Sequence, residues 1–288
     1  MGLQLGSYKL LMKNRDYIFA HKSLPRCLMF GRTKISMSKS QIKNAEINDD
    51  ISSEILTGYA DSFLKRFGFD SVESLDYSNF EGANFICNLN KPFQDDNTTV
   101  LPYDFDFVMD YGTSEHIFNP PASFFNALTS LKEGGLFNCV LPVTGWCDHG
   151  FYQFSPAFFY ALNNDKLSLV KLYFFDADPS ADQLKYWDGL TSDFMEHIHG
   201  AFDGSFAANC LQYLNRPILA WALFRKNSCI QHDDFFFNTQ QLVYKNQWNM
   251  NTNRQIINTN ERKLDLYKKG SLNNNIFIEY INNIALYT

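Results

Sequence analysis

FDFVMDYGTSEHIFNPPASFFNALTSLKEGGLFNCVLP, residues Phe105 to Pro142, carries the pattern of a strand, then of a helix, then of a strand again. Phe105–Gly112 is an apolar run of strand length, with an acid, Asp110, and a glycine at its carboxyl end. A helix is expected from about Pro121 to Lys132, a turn at Gly134 and Gly135, and a second strand over Leu136–Pro142. A strand that returns to a second strand through a helix is the unit from which parallel sheets are built.

The alternation continues in both directions. Upstream, Arg26–Arg32 is a buried strand that stops at Gly31, and a polar loop follows to Asn48. Asp49 or Asp50 caps a helix running to about Phe67, with Ile55, Tyr59 and Phe63 on one face and Gly68 at its end. Ser71–Asp76 alternates as a strand ending in an acid, and Asn84–Asn90 is a further short strand before Pro92. Downstream come a loop through His149, a helix near Ser155–Leu162, and strands over Leu167–Phe175 and Pro217–Lys226. The predicted fold is α/β, a doubly wound and mostly parallel sheet covered by helices on both faces.

The domain reading follows. Residues 1–23 are an irregular or partly helical N-terminal segment, and residues 24–226 form the α/β domain. Within it, residues 176–215 are long for a connection and are expected to hold two short helices, a place for a substrate lid or a contact between copies in a homo-oligomer. Residues 227–288 are rich in Asn, Gln and Lys and read as a partly helical extension draped on the domain or on a partner.

Composition narrows the function. Of 288 residues, 25 are Lys or Arg and 31 Asp or Glu, a net charge of −6, which argues against bulk binding of nucleic-acid phosphates. No stretch approaches the roughly 20 apolar residues of a membrane span. Lys9, Lys13, Arg15 and Asp16 interrupt the apolar runs a signal peptide would need, so a soluble, cytoplasmic protein is expected. The six cysteines are widely spaced and lack a CxxC pair, the pattern of buried thiols in a reducing compartment. No metal is expected: Cys147 with His149, or His197 with His199, lack third and fourth ligands at suitable spacing. The nucleophile elbow GxSxG and the phosphate loop GxxxxGK[ST] are both absent.

In open α/β sheets ligands bind beyond the carboxyl ends of the strands, where strand order reverses. The polar residues at those ends are Gly31-Arg32, Asp76, Asn88 to Asn90, Asp110 to Gly112, and Asp148-His149. An acid ending the second strand can accept hydrogen bonds from both hydroxyls of a ribose; the plainer role for Asp76 is a turn or helix cap. His149 is the candidate for proton chemistry, with Tyr152, Gln153 and Ser155 able to orient a polar substrate. The alternative is that His149–Pro156 is a packing element in which Ser155 caps a helix.

At this point the chain resembles a family. The stretch from Tyr103 to Pro142 looks like the middle of class I S-adenosylmethionine-dependent methyltransferases, in which a strand leads to LEHV, a helix, LKPGG and the next strand. The matching residues are Asp106, Glu115-His116-Ile117 and Leu131-Lys132-Glu133-Gly134-Gly135. ESLDYSNFEGANFICNLNKP, Glu73 to Pro92, resembles the region from the acid strand to the adenine loop. DHGFYQFSP, Asp148 to Pro156, is similar to the GHGFYQFSP element of one branch. The resemblance covers roughly Cys27 to Lys226 and implies a terminal antiparallel hairpin of the last two strands.

It implies S-adenosylmethionine as cofactor and a small-molecule acceptor, such as a sugar or glycan precursor. Asp76 would hold the ribose, Asn88 and Leu89 the adenine, and Asp110, Tyr111 and Gly112 the floor beneath the methionine part. His116 would be structural, and Glu115 would contact cofactor or substrate. The family's GxG loop after the first strand is missing here, leaving Gly31 followed by Arg32. Arg32 or Lys34 would then pair with the cofactor carboxylate. The alternative is a closed pocket and a catalytically silent, methyltransferase-like interaction scaffold. A nicotinamide-dependent oxidoreductase is a weaker third reading, without GxGxxG or a well-placed TyrxxxLys pair.

Overall fold

Along the first strand, β1 (Arg26–Phe30), successive side chains enter opposite cores: Leu28 and Phe30 one, Cys27 and Met29 the other. The last long strand, β8 (Ile218–Lys226), does the same, sending Ile218, Ala220, Ala222 and Phe224 to the first core and Leu219, Trp221 and Leu223 to the second. A strand apolar on both faces needs cover on both. That is the physical content of the continuous apolar runs, and the computed structural model supplies the cover. It describes residues 2–20, 25–44, 58–95, 102–178, 184–191, 216–239 and 286–287.

The remaining strands are β2 (Ser71–Asp76), β3 (Phe85–Ile86), β4 (Phe105–Tyr111), β5 (Leu131–Thr144), β6 (Leu167–Asp176), β7 (Lys185–Asp188) and β9 (Leu286–Tyr287). They form one sheet in the order β3-β2-β1-β4-β5-β8-β6-β7-β9. The neighbours from β3 to β5 run parallel, and β8 lies antiparallel to both β5 and β6. The expected α/β class and the antiparallel hairpin of Leu167–Asp176 with Ile218–Lys226 are both present.

Helices α1 (Leu5–Lys13), α2 (Arg15–Phe19), α3 (Lys39–Asn44) and α4 (Asp61–Phe67) cover one face. The N-terminal segment therefore contributes core: Leu10, Leu11 and Ile18 are fully buried there. On the opposite face lie α5 (Pro120–Ser130), α6 (Pro156–Ala161) and α7 (His232–Asn238). Phe235 and Phe236 of α7 rest on Phe125 at ring-centroid distances of 5.8 and 5.5 Å, so the start of the C-terminal extension is packed on the domain.

Several elements differ from expectation. Of the helix expected from Asp49 or Asp50, the described residues contain Asp61–Phe67; residues 51–57 lie outside them. The strand expected over Asn84–Asn90 pairs only at Phe85 and Ile86, because Asn88 Oδ1 accepts from the Asn90 N–H at 3.0 Å and bends the chain. Gly134 takes φ +76° but belongs to the irregular start of β5, whose pairing with β4 slips between Phe105 and Phe107. Where helices were expected in 176–215, residues 185–188 form a strand, and 192–215 lie outside the described residues. Leu286–Tyr287 pairs with that strand.

Among the described residues no disulfide forms; Cys27, Cys87 and Cys139 are buried free thiols, while Cys147 and Cys229 are exposed. No helix among the described residues is long and apolar enough to cross a membrane.

Candidate functional site

The chain leaves β1 through β2 toward β3, then crosses back to place β4 on the other side of β1. Strand order therefore reverses between β1 and β4, and a crevice opens at their carboxyl ends. A cleft of about 480 Å³ lies there, lined by residues from the ends of β1, β2 and β4 and from the 87–90 loop. Its size is that of a small-molecule site.

Gly31 forms one wall. It sits at φ +66°, and a Cβ there would stand 2.6 Å from Thr113 Oγ1. That hydroxyl donates to the Phe30 carbonyl at 2.6 Å, and the Gly31 N–H donates to the Leu75 carbonyl at 2.9 Å. The missing side chain is thus required by both backbone conformation and space.

Asp76 lines the cleft from the tip of β2, its Oδ1 accepting from the Tyr77 N–H at 2.6 Å. Asn88, Leu89 and Gly112 also line it, as do Cys87, Asn90, Thr113 and Ile117. Leu89 is buried within the core behind the wall.

Arg32 and Lys34 reach the cleft, each already in contact with an acid. Arg32 Nε donates to Asp61 Oδ2 at 3.2 Å, its Nη1 donates to the Glu81 carbonyl at 2.7 Å, and its guanidinium lies 4.3 Å from the Tyr59 ring centre. Lys34 Nζ is 2.6 Å from Glu81 Oε1, and this partner raises its pKa. The cleft remains open beside both cations.

Of the expected floor residues, Tyr111 and Gly112 line the cleft, and Asp110 does other work. Asp110 is fully buried and does not line the cleft. Its carboxylate accepts from the Thr113 N–H at 2.8 Å and from the Ser114 N–H and hydroxyl, which fixes the turn after β4. Burial raises its pKa while these donors oppose the rise. Tyr111 lines the cleft, yet its hydroxyl donates to Asn138 Oδ1 at 2.6 Å and accepts from Trp221 Nε1 at 3.2 Å. Asn138 Nδ2 in turn donates to the Ala222 carbonyl at 2.8 Å, so the chain of bonds ties β4, β5 and β8 together.

Beside the cleft, Glu115, His116 and His149 meet. Glu115 is fully buried, with Oε1 3.7 Å from His116 Nε2 and 3.8 Å from His149 Nε2. Burial, then the Asp110 charge, pushes the Glu115 carboxyl up to about 8. Burial lowers the pKa of both imidazoles, and His149 lowers that of His116 further. His116 lines the cleft, whereas His149 stands behind it with ring centroids 5.1 Å apart.

Tyr152 and Gln153 do not line the cleft: the Tyr152 hydroxyl donates to the Phe118 carbonyl at 2.9 Å, and Gln153 Oε1 accepts from the Trp146 N–H at 3.0 Å. Sequence reading passed over Thr113, Glu81 and Ile117 as cleft residues and gave His116 a packing role. Only the position of Thr113 immediately after the strand-ending Gly112 pointed toward the cleft.

No family model matches the chain, and no curated protein matches it. Among solved structures it is similar to the O-MT of StiE, at 14% identity over 83% of each chain with TM-score 0.34. It is also similar to the O-methyltransferase of a trans-AT PKS multienzyme of Brevibacillus brevis in complex with S-adenosyl-L-homocysteine, at 12% identity over 92% of this chain and 89% of that one, TM-score 0.37. The plantazolicin methyltransferase BpumL in complex with SAH matches at 11% identity over 76% and 90%, TM-score 0.38.

Proposed function

We propose that this chain is an S-adenosylmethionine-dependent methyltransferase acting on a small polar acceptor, such as a sugar or glycan precursor. The observation that carries the reading is one cleft, at the reversal of strand order, lined by both the Asp76 carboxylate and the main chain at Gly31. A carboxylate at the tip of the second strand suits the two hydroxyls of a ribose, and the Gly31 main chain lines the same cleft. Leu89 and Ile117 offer apolar contact to a purine, with the Asn88 amide beside them. Arg32 and Lys34 supply positive charge for a carboxylate, and the cofactor would compete with Asp61 and Glu81 for them.

The sulfonium of the cofactor supplies an activated methyl group, which leaves the protein the tasks of positioning the acceptor and disposing of its proton. The second task falls to the group of Glu115, His116 and His149, the polar cluster that adjoins the cleft.

The test is thermal unfolding with and without S-adenosylhomocysteine. A ligand at 100 times its Kd stabilises the parent by about 2.7 kcal/mol, and Asp76→Ala is expected to lose about half of the shift or more, with binding weaker by about tenfold or more. An unchanged shift in Asp76→Ala contradicts the placement of the ribose. The absence of any shift in the parent favours the silent scaffold. His149→Ala is expected to keep the shift while slowing turnover, and unchanged turnover removes His149 from the reaction.

A further inference from the structure

Glu115 is the least compensated polar group among the described residues. Its side chain is 0% exposed, and beyond its own backbone N–H neither carboxylate oxygen has a hydrogen-bond partner. A buried carboxylate without partners costs several kcal/mol, and protonating it would merely exchange one unpaired group for another. The two imidazole nitrogens that face it, at 3.7 and 3.8 Å, stand beyond hydrogen-bond reach, and His149 Nε2 is itself buried and unpartnered. A missing component that accepts lone pairs from all three groups would account for the arrangement.

We propose that Glu115, His116 and His149 bind one divalent transition-metal ion of the Zn²⁺ class. One ligand atom from each lies within 4.8 Å of the others. Metal–ligand bonds of about 2.0–2.1 Å in tetrahedral geometry separate ligand atoms by about 3.3–3.4 Å, so small side-chain movements close the site. Two imidazoles and one carboxylate select Zn²⁺ and its transition-metal neighbours over Mg²⁺ or Ca²⁺, which prefer oxygen ligands.

The backbone holds the ligands together across 34 residues of sequence. The Glu115 carbonyl accepts from the Phe151 N–H at 2.8 Å and the Tyr152 N–H at 3.2 Å. Gly150 allows this approach, since a Cβ there would meet the Glu115 carbonyl oxygen at 2.9 Å and its Cγ at 3.0 Å. The ion would stand at the cleft wall beside His116. Three protein ligands leave a coordination position for water or an acceptor oxygen. The site is independent of the cofactor reading.

The full-length chain, stripped with a chelator, is titrated with Zn²⁺ by calorimetry. One saturable equivalent is expected in the parent. Glu115→Gln and His149→Ala are each expected to weaken it by about 100-fold or more, because each removes a direct ligand. Cys147→Ser, which removes the exposed thiol two residues from His149, is expected to bind as the parent does. His149 lies at a partly exposed position, so His149→Ala keeps the test open if Glu115→Gln does not fold. Absence of saturable binding in the parent, or parent-like binding by both ligand variants, overturns the proposal. Zinc bound without any response to S-adenosylhomocysteine would contradict the cofactor reading alone; the reverse would contradict the metal site alone and leave His149 as a free base.

Discussion

A methyl group placed on Gly31 has no room, because Thr113 Oγ1 would lie 2.6 Å away and the backbone sits at φ +66°. Gly31→Ala is expected to cost about 1–3 kcal/mol in chemical denaturation and to reduce S-adenosylhomocysteine affinity by at least tenfold. Affinity equal to the parent's would show that the main chain at this turn does not touch the ligand. Tyr111→Phe acts differently. It strips Asn138 Oδ1 and Trp221 Nε1 of their shared partner in the core and is expected to cost about 1–3 kcal/mol, read from the denaturation midpoint. At this scale, the sequence shows residues that end strands more readily than residues that meet across loops. Gly31, Asp76, Asn88, Leu89 and Gly112 sit on the cleft because each ends or follows a recognisable strand. Asp110 also ends one, but the donors at Thr113 and Ser114 draw its carboxylate under the turn. The meeting of Glu115 with His149 leaves no mark in the spacing of residues, since it depends on two loops pinned by backbone bonds to Glu115.

Elements were legible in proportion to their burial. β1, β4, β6 and β8 are apolar runs and β2 alternates, and the observed ends fall within a residue or two of those expected. β7 was missed because its four residues, Lys185–Asp188, carry charges at both ends and only two buried side chains, Tyr186 and Trp187. The two residues of β9 are too few for any pattern. Phe235 and Phe236 of α7 pack on Phe125. Phe236→Ala is expected to destabilise the fold by about 1–3 kcal/mol, less than a fully enclosed phenylalanine, and to leave S-adenosylhomocysteine affinity unchanged. A matching loss of affinity would mean that α7 supports the cleft through α5. Equilibrium denaturation and ligand titration on the same variant separate these outcomes.

At the scale of the whole molecule, the sheet turns a one-dimensional alternation into a single rim. Parallel strands place their carboxyl ends on one edge, and crossing back from β3 to β4 opens the crevice between them. Residues 31, 76, 88 and 112 thereby converge on a cleft of about 480 Å³. Whether that cleft takes a nucleoside is read most directly by calorimetric titration of S-adenosylhomocysteine into the intact chain. A single site with a dissociation constant in the micromolar range or tighter is expected. No heat at any concentration, together with an unmoved melting temperature, would contradict it.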